Sequence, residues 1–121
     1  MGKTVLIVDD SASMRQLVGF ALSSAGYDVV DAKHGKEALD KIDSAKVEIV
    51  ITDLNMPEMD GIELIKQLRT TTANRYTPIV MLTTESQESK KQEGKQAGAS
   101  GWIVKPFKPD QLIDVVKKFV K

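Results

Sequence analysis

"VEIVITDLNMPEMDGIELI", residues 47–65, runs a stretch of Val and Ile into a carboxylate, Asp53, with Asn55 and Pro57 just beyond it. The apolar run reads as a buried strand and the polar residues as the turn where it reaches the surface. A second such run, from Lys3 to Val8, ends in Asp9 and Asp10. Two strands of one sheet therefore finish in acids.

Working outward, short apolar runs alternate with helical patterns, separated by Gly, Asn, Asp or Ser. Strands are expected at Thr4 to Val8, Asp28 to Ala32, Glu48 to Thr52, Pro78 to Leu82 and Gly101 to Val104. Helices fall between and after them, at about 13–25, 36–45, 61–70, 87–97 and 109–120. The last has the clearest period, with Leu112, Val115, Val116 and Phe119 on one face and Lys117 and Lys118 off it. Five β-α units with right-handed crossovers predict an α/β fold, a doubly wound five-stranded parallel sheet. From Glu88 to Ala97 the only apolar side chain is one alanine, and Gly94 interrupts the segment. That fourth helix is expected to be the least stable element and available for rearrangement.

Residues 1–121 are expected to form one domain, with no output domain after the fifth helix. There is no cysteine, and the wholly apolar stretches run to about four residues, such as Val5 to Val8. No signal peptide or membrane span is read, and the expected location is the cytoplasm. The 17 basic and 17 acidic residues cancel, which removes the simplest argument for a nucleic-acid partner. Residues 1–60 carry 6 Lys/Arg against 11 Asp/Glu, whereas residues 86–121 carry 8 Lys against 4 Asp/Glu. This implies an acidic site from the early strands; the later lysines are either a basic face for an acidic partner or ordinary solvated side chains.

Open parallel sheets gather ligands at the carboxyl ends of their strands. If the first and third strands are neighbours, Asp9, Asp10 and Asp53 converge, and repulsion would raise their pKa values unless a cation joined them. An all-oxygen set suits Mg²⁺. Taken singly the acids have plainer readings: Asp10 as helix capping before Ser11 and Ser13, and Asp53 to Asp60 as turn chemistry. Thr83 ends the fourth strand and Lys105 the fifth, directly before Pro106, whose peptide bond with Lys105 is a candidate cis bond. A carboxylate nucleophile, a divalent ion, a hydroxyl and an ammonium are the parts needed to accept a phosphoryl group.

"LIVDDSASMR", "VITDLNMPEMDGIEL", "PIVMLTTES" and "AGASGWIVKPF" together resemble the response-regulator receiver domain, over the whole chain, and the stand-alone chemotaxis members most. The resemblance implies a flavodoxin-like strand order 2-1-3-4-5. It implies Asp53 as phosphoacceptor from a CheA-like histidine kinase, with Mg²⁺ held by Asp10, Asp53 and the backbone carbonyl of Asn55, and by Asp9 through water. Thr83 and Lys105 would bind the phosphoryl oxygens. Trp102 holds the place of the aromatic switch residue that turns inward when the threonine moves, and Asn55 and Glu85 match positions that tune phosphate lifetime. The implied protein is a monomer that catalyses only its own phosphorylation and dephosphorylation. Its target would be a FliM-like flagellar motor switch protein, met by the face of helix four, strand five and helix five, and a phosphatase is a further candidate partner. Trp102 stands where tyrosine is usual in chemotaxis members and Thr84 where alanine is common, so no phenolic hydroxyl is present for a switch hydrogen bond.

Other readings compete. A haloacid-dehalogenase-type enzyme wants a second acid two residues after the nucleophile, where this chain has Asn55. A flavin or nucleotide module wants a Gly-rich phosphate loop after strand one, where Asp9 and Asp10 would repel phosphate. A pseudo-receiver would be expected to lose Asp53, Lys105 or the acid pair. A phosphorelay or phosphate-sink receiver, or one excised from a transcription factor, would keep them all. His34 before Gly35 reads as a surface loop residue sooner than a phosphate carrier, and Met56 and Met59 as packing.

Overall fold

The computed structural model describes residues 3–120; Met1, Gly2 and Lys121, at the ends of the expected domain, lie outside the described residues. The five strands are β1 (Thr4–Val8), β2 (Asp28–Ala32), β3 (Ile49–Thr52), β4 (Ile79–Thr83) and β5 (Gly101–Val104). The helices alternating with them are α1 (Ala12–Ser24), α2 (Gly35–Ala45), α3 (Gly61–Arg69), α4 (Glu88–Ala97) and α5 (Pro109–Phe119). All strand pairs are parallel, in the order β2-β1-β3-β4-β5. This is the doubly wound, flavodoxin-like architecture expected. No helix among the described residues is long and apolar enough to cross a membrane.

Alternation along each strand divides the core into two layers. Leu6, Val8, Val50, Ile79 and Met81 pack with Ala38 and Ile42 of α2 and with Ile62, Leu64, Ile65 and Leu68 of α3. Val5, Ile7, Ile49, Ile51, Val80, Leu82 and Ile103 point the other way, onto Val18 and Leu22 of α1 and Leu112 and Val116 of α5. The central strands are buried on both faces, which is why they lack polar alternation in the sequence.

Element ends follow local chemistry. β4 is displaced by one residue from the expected span because Pro78 has no N–H for the ladder; its carbonyl accepts from the Val50 N–H at 2.9 Å. α1 starts after Ser11, whose hydroxyl accepts from the Met14 N–H, and α3 after Asp60, whose carboxylate accepts from the Glu63 N–H. His34 is the N-cap of α2: its Nδ1 accepts from the Glu37 N–H at 3.1 Å, while the Glu37 carboxylate accepts from the Lys33 N–H. The pair resembles a capping box with an imidazole in the usual place of a hydroxyl, except that Glu37 reaches the N–H of Lys33, one residue before the cap.

At the end of α3, Arg69 turns inward and donates to the carbonyls of Asn74 and Thr77 from Nη1 and of Gly98 from Nη2, at 2.6 to 2.9 Å. Gly98 caps α4 at φ +118°, a backbone angle that favours glycine, and a side chain there would also strike Arg69.

α4 contrasts with its neighbours. Its one buried residue is Gly94, whereas α3 buries Gly61, Ile62, Leu64, Ile65 and Leu68. With so little surface withdrawn from water, α4 should open locally before the rest of the fold. In native-state hydrogen exchange, amides of α4 should lose protection well ahead of those of α3. Equal protection in the two helices would contradict that order.

Candidate phosphoryl-acceptor site

The register of the sheet brings the acids together. Val8 pairs with Thr52, so the residues that follow, Asp9 and Asp53, leave adjacent strands side by side. The Asp53 N–H donates to the Val8 carbonyl and the Asp9 N–H to the Ala32 carbonyl, which extends the ladder one step past the strand ends. On the other side of β3, the Lys105 N–H donates to the Thr83 carbonyl at 2.8 Å. β1, β3, β4 and β5 therefore deliver Asp9 and Asp10, Asp53, Thr83 and Lys105 to one rim.

Asp9, Asp10 and Asp53 each offer a carboxylate oxygen within 4.8 Å of the others. Lys105 Nζ lies 2.9 Å from Asp9 Oδ2 and 3.7 Å from Asp53 Oδ2, with side chains largely withdrawn from solvent. The other oxygen of Asp9 accepts from the Ser11 N–H at 2.9 Å, and Asp53 Oδ1 accepts from the Leu54 N–H at 2.8 Å. Burial pushes the Asp53 carboxyl above the ordinary aspartate range, and the Asp9 charge adds to that. Lys105, a hydrogen bond from the Thr83 hydroxyl and the Leu54 N–H pull the other way without cancelling it. Three carboxylates at this separation, with oxygen donors only, fit a hard divalent cation.

The remaining residues singled out in the sequence occupy distinct places. Asn55 is exposed, two residues beyond Asp53. Lys105–Pro106 is a cis peptide bond. Glu85 is partly buried: its N–H donates to Thr83 Oγ1 at 3.3 Å, and its carboxylate accepts from the Gln87 N–H at the start of α4. Trp102 reaches the cluster only through Glu85, whose carbonyl accepts from its indole Nε1 at 2.9 Å. The indole thus supplies a hydrogen-bond donor at the position where no phenolic hydroxyl is present. His34 stands outside the cluster, occupied as a helix cap.

Sequence reasoning missed Arg15. Its Nη1 donates to the Asp9 carbonyl at 2.7 Å and its Nε to Asp31 Oδ2 at 3.0 Å, tying the acid pair to the edge strand β2. The available signal was its position one turn after the Ser11 cap. Thr52, wholly buried, was missed as well; its hydroxyl donates to the Asp53 carbonyl.

Comparisons with known proteins agree on one family. The family described as response regulator receiver domain matches residues 5–117. The chain is 44% identical over 110 residues to chemotaxis protein CheY1 of Helicobacter pylori, covering 89% of each protein. It is 38% identical over its whole length to the alkaline phosphatase synthesis transcriptional regulatory protein PhoP of Bacillus subtilis, of which it covers 50%. The solved structure of Vibrio cholerae chemotaxis protein CheY4 superposes with a TM-score of 0.95 at 47% identity, over 99% of this chain and 100% of that one.

The raised Asp53 pKa carries a consequence for stability. The folded chain binds the Asp53 proton more tightly than the unfolded chain, so ionising Asp53 weakens the fold as pH rises through its folded pKa. In the presence of a chelator, Asp53→Asn should melt a few degrees above the parent at neutral pH. The gap should close as pH falls toward the ordinary aspartate value of 3.8. Thermal melts across that window check it, and an Asn variant less stable than the parent at pH 7 would refute it.

Proposed function

This chain belongs to the response regulator receiver domain family, and from that premise we propose that it is a cytoplasmic signalling switch phosphorylated on Asp53 by a histidine kinase. The observation that carries the reading is the placement of Asp53 beside Lys105 and Thr83 within the three-carboxylate cluster. An Asp53 carboxylate oxygen attacks phosphorus as the bond to the donor histidine nitrogen breaks, giving an acyl phosphate on the protein and a neutral imidazole on the donor. Lys105, 3.7 Å from Asp53 Oδ2, has the reach and charge to hold a phosphoryl oxygen, and Thr83 the hydroxyl to donate to another. Mg²⁺ held by Asp10, Asp53 and the Asn55 carbonyl, with Asp9 through water, would offset the negative charge gathered during transfer. Hydrolysis returns Asp53 to a carboxylate, and Asn55 and Glu85 hold the positions that would tune its rate. The chain accelerates only these two reactions of its own aspartate.

The output proposed is binding of a flagellar motor switch protein through α4, β5 and α5. A groove of about 290 Å³ between α4 and β5, lined in part by Lys91, Lys95 and Trp102, offers cationic and aromatic contacts there. The likeness to half of a transcriptional regulatory protein supports a second reading, a receiver that serves a DNA-binding output. Phosphate lifetime separates the two: seconds to minutes for motor control, hours for transcription.

With a radiolabelled small phosphodonor and Mg²⁺, the parent should take label and Asp53→Asn none, and chelation should abolish labelling. Label persisting at the parental rate on Asp53→Asn would sink the assignment. Lys105→Ala should still be labelled, more slowly by on the order of 10²-fold, and should lose the accompanying change in Trp102 fluorescence. A full fluorescence response in that variant would show that Lys105 does not relay the event.

A further inference from the structure

Helix α4 lies on the ring of Trp102 through a residue without a side chain. Gly94 is buried midway along α4, and a Cβ placed there would stand 2.7 Å from Cζ3 of the indole, nearer than carbons pack. Glycine inside a helix is less favourable than alanine, and here it sits in a helix whose one buried residue it is. The close approach gives that glycine a physical reason.

The other edge of the ring is tied to the acceptor site. Trp102 Nε1 donates to the Glu85 carbonyl at 2.9 Å, and the Glu85 N–H donates to Thr83 Oγ1 at 3.3 Å, on the rim that Thr83 shares with Asp53. Two hydrogen bonds and the close approach at Gly94 thus join Thr83, on the rim beside Asp53, to α4. If Thr83 turns toward a phosphoryl oxygen, the Glu85 peptide follows it, and the indole follows the peptide.

We propose that Gly94 is a positioning residue that couples α4 to the acceptor site, with Trp102 acting as a wedge between the Glu85 peptide and the helix. This inference rests on the reading of Asp53 as phosphoryl acceptor. Phosphorylation moves the wedge, and α4, which Gly94 lets rest directly on the ring, is displaced with it. Because coupling between sites is reciprocal, a change at position 94 must alter affinity at Asp53. A methyl group at 94 penalises the unphosphorylated packing and so favours the phosphorylated one.

The test measures binding of beryllofluoride with Mg²⁺, a phosphoryl mimic, by titration calorimetry. Gly94→Ala should bind it at least about 5-fold more tightly than the parent. Gln96→Ala, exposed on the same helix, should bind like the parent. In a Trp102→Phe background, which lacks Cζ3 of the indole, the effect of Gly94→Ala should largely vanish. Unchanged or weaker affinity in folded Gly94→Ala overturns the proposal, as does an equal gain in Gln96→Ala or a full effect in the Trp102→Phe background. Should Gly94→Ala fail to fold, hydrogen exchange decides: beryllofluoride should alter α4 protection in the parent but not in Trp102→Phe, and an equal response in both overturns the wedge. A parent that binds no beryllofluoride would instead refute the acceptor assignment.

Discussion

One ammonium among three carboxylates governs this molecule. Lys105 bridges Asp9 at 2.9 Å and Asp53 at 3.7 Å, where strands from the middle and the edge of the sheet end together. A largely buried ion pair of this kind adds little stability over apolar packing, because desolvation offsets much of the attraction. Removing one partner, however, leaves the other charge uncompensated. The arrangement therefore fixes the positions of the acids more than it strengthens the fold. It also leaves the cluster short of positive charge, a deficit that a divalent cation and a rearranged lysine can share.

The parts of the fold that depend on local pattern were legible from residues. Runs of Val and Ile marked β1, β3 and β4, and the strong period of the last helix marked α5. Boundaries slipped where single atoms decide, as at Pro78, whose missing N–H moves the start of β4. Strand order came from family resemblance alone, because it is set by contacts between distant segments that no local period encodes. Asp9, Asp10, Asp53, Thr83 and Lys105 could be picked out because each stands at the end of an apolar run.

What stayed hidden were side chains whose partners are backbone atoms. Arg15 on the Asp9 carbonyl and Arg69 on three carbonyls look in sequence like any solvated cation. Burial pulls the Arg69 pKa down, yet nothing in its neighbourhood in the chain announces that environment. His34 was ambiguous for the same reason, although Glu37 three residues later was the available sign of a capping box. Gly94 read only as a weakness of its helix, since the indole it accommodates belongs to another element.

The Arg69 clasp gives α4 unlike ends. At one end the guanidinium grips Gly98, anchoring the helix to the α3–β4 connection. At the other, Gln87 provides no side-chain cap, and its N–H rests on the Glu85 carboxylate. The helix is thus a lever with its fulcrum at Gly98 and its driven end beside the acceptor loop. At 1.5 Å per residue its 10 residues make an arm about 15 Å long. A tilt of about 5° at the fulcrum would carry the far end by about 1 Å, comparable with the helix shifts of about 1–2 Å that repack interfaces.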